Sequence, residues 1–295
     1  MKRALLFAAT LAVAFPAFMS MARAHAVCGN RVFPATLTMD DPGVGDELSL
    51  PTIQYEPTAE VAGGGRTISY GYEWDKTITE HFGFSISSDY VTQHNAGIST
   101  RGFDNVTAGL KDEFYCDNEH ELMASVGVFH VFGGTGSSKI VSTTTTVGST
   151  APTLFFGKGL GDLPIGYLRP LAITGEVGYA ISDTQRVQPN EWDYALSLQY
   201  SIPYLQQHVK DLGLPGFLGH LTPLIEVALS RPAGLATTGT ISPGILYDAD
   251  TWQFGVEANI PANNATRQSQ GVGFIAQFHL FLDDIFPASL GKPIF

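Results

Sequence analysis

Near the C-terminus the run Gly271 to Leu282 alternates with a period of two. Val272, Phe274, Ala276, Phe278, Leu280 and Leu282 fall on one face; Gly273, Ile275, Gln277, His279 and, just beyond, Asp283 fall on the other. Alternation of this kind marks an extended strand with unlike faces. The run Glu191 to Ile202 repeats it, interleaving Trp192, Tyr194, Leu196, Leu198, Tyr200 and Ile202 with Glu191, Asp193, Ala195, Ser197, Gln199 and Ser201, and Thr251 to Ile260 follows suit. A soluble sandwich shows the same code, but in strands of about five or six residues. These are roughly ten residues long, the length a tilted strand needs to cross a bilayer. The pattern predicts an all-β fold: a single antiparallel transmembrane β-barrel, apolar outside and polar within.

The beginning of the chain agrees with that destination. Met1-Lys2-Arg3 precedes an apolar run from Ala4 to Phe18 and small residues at Ala22-Arg23-Ala24, the layout of a secretory signal peptide, with Ala24-His25-Ala26 as a second cleavage site. No later stretch is long and apolar enough for a spanning helix. Removing residues 1–24 takes away Lys2, Arg3 and Arg23 and deepens the formal charge from −12 to −15, which argues against a nucleic-acid partner. Residues 25–48 are irregular, with a turn at Asp40-Asp41-Pro42-Gly43, and read as a periplasmic tail or a segment that enters the pore. Residues 49–295 form the barrel and a short C-terminal tail.

About twelve strands are expected, an even number as in bacterial barrels. They include Thr52 to Glu56, Thr67 to Asp75, Phe82 to Tyr90, Asn105 to Tyr115, Glu121 to Phe132, a weaker Thr153 to Gly157, Leu171 to Ala180, Leu221 to Leu229 and Thr240 to Tyr247. With the N-terminus periplasmic, the polar stretches Val91 to Asp104, Gly133 to Thr150, Asp183 to Asn190, Arg231 to Thr238 and Pro261 to Ser269 lie outside, and tight turns such as Asp75 to His81 lie inside. Two inside connections are long. One of them, Pro203 to His220, spaces Tyr204, Leu205, Val209 and Leu212 like one helical face and predicts a short periplasmic helix, either interfacial or a cap on the barrel mouth. Cys28 and Cys116 both fall on the periplasmic side, where a disulfide is possible; two free thiols are the alternative.

Burying a carboxylate in lipid is costly, so alternation directs the acids inward. Glu73, Asp89, Glu176, Asp193, Glu226 and Glu257 are expected to line the pore with Gln277 and His279, and Lys111 is one of few basic partners. Such a lumen disfavours anions and admits neutral or cationic solutes. For each residue alone, a role in solvating the interior is the plainer reading. Trp74, Trp192, Tyr194, Tyr200 and Trp252 sit near strand ends, as interfacial aromatic girdles do.

Hydrolase elbows, zinc-protease helices and paired-cysteine zinc motifs are missing, and Gly133 to Lys139 lacks phosphate-loop spacing. No enzyme and no cofactor are expected. His25, if it begins the mature chain, is a weak metal candidate with Cys28. The motif Lys158-Gly159-Leu160-Gly161-Asp162-Leu163-Pro164, the pair Pro243-Gly244-Ile245-Leu246-Tyr247 and Trp252-Gln253-Phe254-Gly255, and the closing strand around Phe278 and Phe281 resemble the outer-membrane barrel family associated with the meta-pathway of phenol degradation. That resemblance implies a bacterial outer-membrane transporter for passive passage of small solutes, aromatic compounds among them. Its partners would be the lipid bilayer, the solute and the barrel-assembly machinery. A cation- or metal-related pore, and a closed structural or adhesive barrel, are the alternatives.

Overall fold

The computed structural model describes residues 26–95, 97–137 and 147–295; the signal-peptide reading and His25 lie outside them. A small hairpin, β1 (Ala26–Cys28) and β2 (Arg31–Phe33), precedes the strands that carry the fold. These are β3 (Glu47–Thr58), β4 (Gly65–Thr79), β5 (Phe82–Asn95), β6 (Ile98–Phe103), β7 (Thr107–Asp117), β8 (Leu122–Val131) and β9 (Ser149–Gly159). They continue with β10 (Leu171–Ser182), β11 (Glu191–Tyr200), β12 (Leu221–Pro232), β13 (Thr238–Asp248), β14 (Trp252–Pro261) and β15 (Gly273–Phe281).

All pairings are antiparallel, and β15 pairs with β3 from Phe281 opposite Glu47 to Phe274 opposite Tyr55, which closes the sheet on itself. The first half of β5 pairs with β7 and its second half with β6, so β6 and β7 act as one stave interrupted at residues 104–106. The result is a closed antiparallel barrel of 12 strands.

Alternation in sequence becomes inside and outside in space. On β11, Leu196 is 48 % exposed while its neighbours Ser197 and Gln199 are 0 % and 2 % exposed. Leu110, Val126, Leu154, Ile225 and Phe254 are likewise exposed on the outer surface. The barrel is therefore inside out by the standard of a soluble protein, with hydroxyls and amides within and aliphatic side chains without.

Several expectations are corrected in detail. The short strand at Thr52 to Glu56 is the middle of β3, which spans Glu47–Thr58; Pro51 and Pro57 break the run in sequence, and a register shift between Ser49 and Thr52 accommodates Pro51. The stretch Val91 to Asp104 is no loose loop: β5 runs on to Asn95, paired with β4 on one side and with β6 on the other. The last strand stops at Phe281: Leu282–Ile285 turn helical, so Leu282 is buried and Asp283 leaves the strand face. The short helix expected within Pro203 to His220 is present but ends earlier than its apolar spacing implies: Ile202–Tyr204 and Leu205–Val209 run on as one helical stretch that stops before Leu212, and Gly216–Gly219 form a separate short helix. A helix at Asn264–Ser269, capped by Asn263 accepting from the Thr266 amide at 3.0 Å, occupies what reads in sequence as a polar loop.

Residues 26–46 are the part that sequence reading leaves open, and they enter the barrel. The chain comes in and leaves at the same end, the near end, where the turns at 80–81, 118–121 and 249–251, the long connections at 160–170 and 201–220 and the C-terminal tail also lie. From there residues 34–46 run up to mid-wall and return to start β3. Two apolar clusters mark the contact: Ala26, Cys28, Phe33, Met123 and Ala172 near the rim, and Leu37, Leu224, Leu246 and Ile275 deeper. Two wall glycines make the approach possible. A Cβ on Gly255 would stand 2.5 Å from Leu37 Cδ1, and one on Gly157 would stand 2.9 Å from Pro42 Cγ.

Candidate functional site

The site is the lumen and the segment that fills it. β1 and β2 pair only with each other, so no backbone ladder joins residues 26–46 to the wall. Side chains hold them instead, joined only at the exit by the Leu282 amide donating to the Asp46 carbonyl at 2.8 Å. At the rim, Cys28 and Cys116 form a disulfide (S–S 2.07 Å). Beside it Arg31, 1 % exposed, donates from Nε to Glu121 Oε2 at 3.3 Å and from its two terminal nitrogens to the carbonyls of Pro170 (3.0 Å) and Arg169 (2.5 Å). Its guanidinium lies 3.8 Å from the Tyr204 ring centroid, and Tyr204 Oη donates to Glu121 Oε1 at 2.7 Å. Burial draws the Arg31 guanidinium below its usual range, opposed by Glu121. The Tyr204 phenol is pushed up to about 12, by burial first and then by the adjacent Glu121 carboxylate.

Further in, the Thr38 amide and hydroxyl both donate to Glu226 Oε2, at 2.9 and 2.5 Å. Gln253 donates to the Ala35 carbonyl at 2.6 Å, and Ser125 donates to the Pro42 carbonyl. Lys111 Nζ lies 2.6 Å from Asp40 Oδ2 and donates to the Asp41 carbonyl at 3.1 Å. Where the chain returns to the rim, Asp46 takes Lys76 Nζ at 2.6 Å together with the amide and hydroxyl of Thr77.

Between this segment and the wall lies a cavity of about 440 Å³, lined by Asp40, Asp41, Glu47, Glu73, Asp75, Glu176 and Asp193, with Lys76, Lys111 and His279. Its two lysines are matched by Asp46 and Asp40, which belong to the inserted segment. Among the described residues no basic side chain lies within ion-pair distance of Glu73, Glu176 or Asp193. The cavity wall is thus acidic in excess.

The residues singled out in sequence separate into three places. Glu73, Glu176, Asp193, Gln277 and His279 meet on this cavity. Within it His279 Nδ1 is 2.8 Å from Ser49 Oγ and Nε2 is 2.7 Å from Glu47 Oε2, while Gln277 donates to Thr52 at 3.0 Å. Asp89 stands apart, on a smaller hollow of about 290 Å³ at the far end with Asp104 and Asn105. Glu226 and Glu257 face inward but lie buried beside the inserted segment, away from the cavity. Sequence reasoning overlooks Arg31, Asp46, Glu47, Asp75, Lys76, Glu121 and Tyr204. The signal that could have found some of them is a lone arginine in an otherwise base-free N-terminal segment.

Aliphatic side chains ring the outside of a closed sheet whose interior is polar, an arrangement that only lipid stabilises. The chain is a membrane-spanning β-barrel of the outer-membrane type. No family model matches it, and no curated protein matches it in sequence. Among solved structures the KdgM porin is matched over 78 % of this chain and 98 % of that one, with 12 % identity and a TM-score of 0.45. The translocator domain of the autotransporter NalP from Neisseria meningitidis is matched over 80 % and 88 %, with 12 % identity and a TM-score of 0.46. The outer membrane phospholipase A from Escherichia coli is matched over 88 % and 96 %, with 10 % identity and a TM-score of 0.41. At such identities and scores these likenesses carry no argument about what the chain does.

Proposed function

We propose that this barrel is a channel of the bacterial outer membrane for passive passage of small neutral or cationic solutes, and that residues 26–46 are its removable plug. The near end then faces the periplasm, where the disulfide at its rim is stable. One observation carries the reading: among the described residues the plug shares no ladder with the wall and, apart from the Leu282 amide on the Asp46 carbonyl where it ends, every tie to the wall runs through a side chain, so it can leave while the closed sheet stays intact. Glu73, Glu176 and Asp193 line the path that remains, and their uncompensated charge favours cations over anions. The resemblance to the phenol-degradation family supports small aromatic solutes within the neutral class. Asp89 and Asp104 add negative charge at the outer mouth.

Conductance in planar bilayers tests this. The mature protein should open rarely, and deletion of residues 26–46 should give steady, cation-selective channels whose selectivity falls in Glu176→Gln. A deleted barrel that folds, inserts and conducts nothing would refute the channel and leave a structural barrel.

A further inference from the structure

Among the described residues no positive charge lies within ion-pair distance of two carboxyl groups in the wall. Glu226, midway along β12, is fully buried, and Glu257, midway along β14, is 2 % exposed. They reach toward each other across β13, where Ser242 stands opposite Glu226 and Gly244 opposite Glu257. Gly244 leaves the room: a Cβ there would stand 2.3 Å from Glu257 Cγ. Glu226 Oε2 is taken up by Thr38, but Glu226 Oε1 and both carboxyl oxygens of Glu257 have no hydrogen-bond donor among the described residues. A second observation is independent of the acids. Ser197 of β11, the inward-facing register partner of Glu226, holds a fully buried hydroxyl that likewise has no partner among the described residues.

The neighbouring polar groups that might have satisfied these atoms are engaged elsewhere. Ser242 donates to Asn259 Oδ1 at 3.0 Å, and the Gln253 amide nitrogen donates to Ala35. On the near-end side Leu37, Leu224 and Leu246 close the place off with apolar surface, and Ile275 of the same cluster stands opposite Glu257 in register. Two bare carboxylates repel strongly in such surroundings, and a buried acceptor without a donor is costly. Every free donor atom is an oxygen. That set suits a hard cation, which takes oxygen ligands in irregular geometry and completes its shell with water, and it does not suit a soft metal. A divalent ion also cancels both charges.

We propose that Glu226, Glu257 and Ser197 bind one hard divalent cation of the calcium class, and that the bound ion fixes the Glu226 carboxylate where Thr38 of the plug docks on it. The ion then couples the barrel wall to its plug. No group of three or more His, Cys, Asp or Glu suited to a metal occurs among the described residues, so the site rests on two carboxylates, a hydroxyl and water.

The test uses the full mature chain, refolded in detergent and stripped with a chelator. Titration calorimetry with calcium chloride should show one site, and the unfolding temperature should rise and saturate over the same concentrations. Glu257→Gln, which keeps the shape of the side chain, should fold and lose both responses, and Ser197→Ala should weaken the affinity. The proposal is overturned if the wild type ignores calcium and magnesium, or if Glu257→Gln responds as the wild type does. A wild type silent to cations and less stable than Glu257→Gln would mean that the two carboxyls share a proton instead, which also overturns it. Binding is read without conductance, so failure of the channel reading leaves this result standing.

Discussion

Replacing Arg31 by methionine is the sharpest probe of how the plug is held. Methionine keeps much of the length and apolar stem, so the change isolates the charge. In the wild type the guanidinium serves Glu121 and the carbonyls of Arg169 and Pro170 and lies over Tyr204, all out of water. After the change Glu121 keeps only the Tyr204 hydroxyl and the Gly161 amide (3.3 Å), and two carbonyls lose a donor. Removing one partner of a buried ion pair costs about 3–5 kcal/mol. At about 1.36 kcal/mol per factor of ten, that shifts the docked-to-released ratio of the plug by roughly two to four orders of magnitude. The assay is the open probability of single channels with reductant present, so that the Cys28–Cys116 tether does not mask release. A second reading is the rate at which protease clips the plug. Adding Glu121→Gln should return part of the loss, because the stranded charge disappears. If Arg31→Met opens no more often than the wild type and is clipped no faster, the buried pair does not hold the plug and the gating argument fails.

Three further outcomes follow from the same geometry. Cys28→Ser/Cys116→Ser unties a loop spanning 88 positions and should lower stability by about 2–4 kcal/mol, read as earlier loss of the folded band when samples are heated in detergent before electrophoresis. Leu154→Arg places a cation on the lipid face of β9 and should cost about 2–4 kcal/mol in urea unfolding from bilayers, whereas Leu154→Val should cost far less. Asp283, beyond the last strand, has its carboxyl pushed up to about 7 by burial and then by Asp284, so the folded state holds its proton more tightly than the unfolded state does. Stability of the C-terminal tail should therefore fall as pH rises from about 4 to about 7 and level off above; hydrogen exchange of residues 282–295 should show this slope and Asp283→Asn should flatten it.

The wall was legible in sequence because lipid enforces its rule at every second position of every strand. Trp192, Tyr194, Leu196 and Leu198 face out for the same reason that Ser197 and Gln199 face in, and twelve repetitions of one constraint leave a signal that no single residue could. Where the rule is locally broken the reading failed. Pro51 and Pro57 hid both ends of β3, and past Phe281 the apolar sequence continued although the strand did not. Direction was also more legible than surroundings. Alternation sends Glu73 and Glu226 inward alike, but only the fold shows that one meets a cavity and the other a threonine of the plug.

The plug was illegible for a physical reason that bears on what it does. Its contacts are single events between distant positions: Arg31 with Glu121, Asp46 with Lys76, Thr38 with Glu226, each made once and none repeated along the chain. Periodicity arises where a long interface applies one condition many times, as lipid does to the wall. A ladder between plug and wall would have left such a trace, and it would also have fixed the plug in place. Buried charge pairs add little net stability compared with apolar contacts of the same size, but they penalise every misplaced arrangement heavily. A segment attached in that way is held in one register and can still be released as a unit. The missing pattern in residues 26–46 and their fitness as a removable plug thus have the same origin.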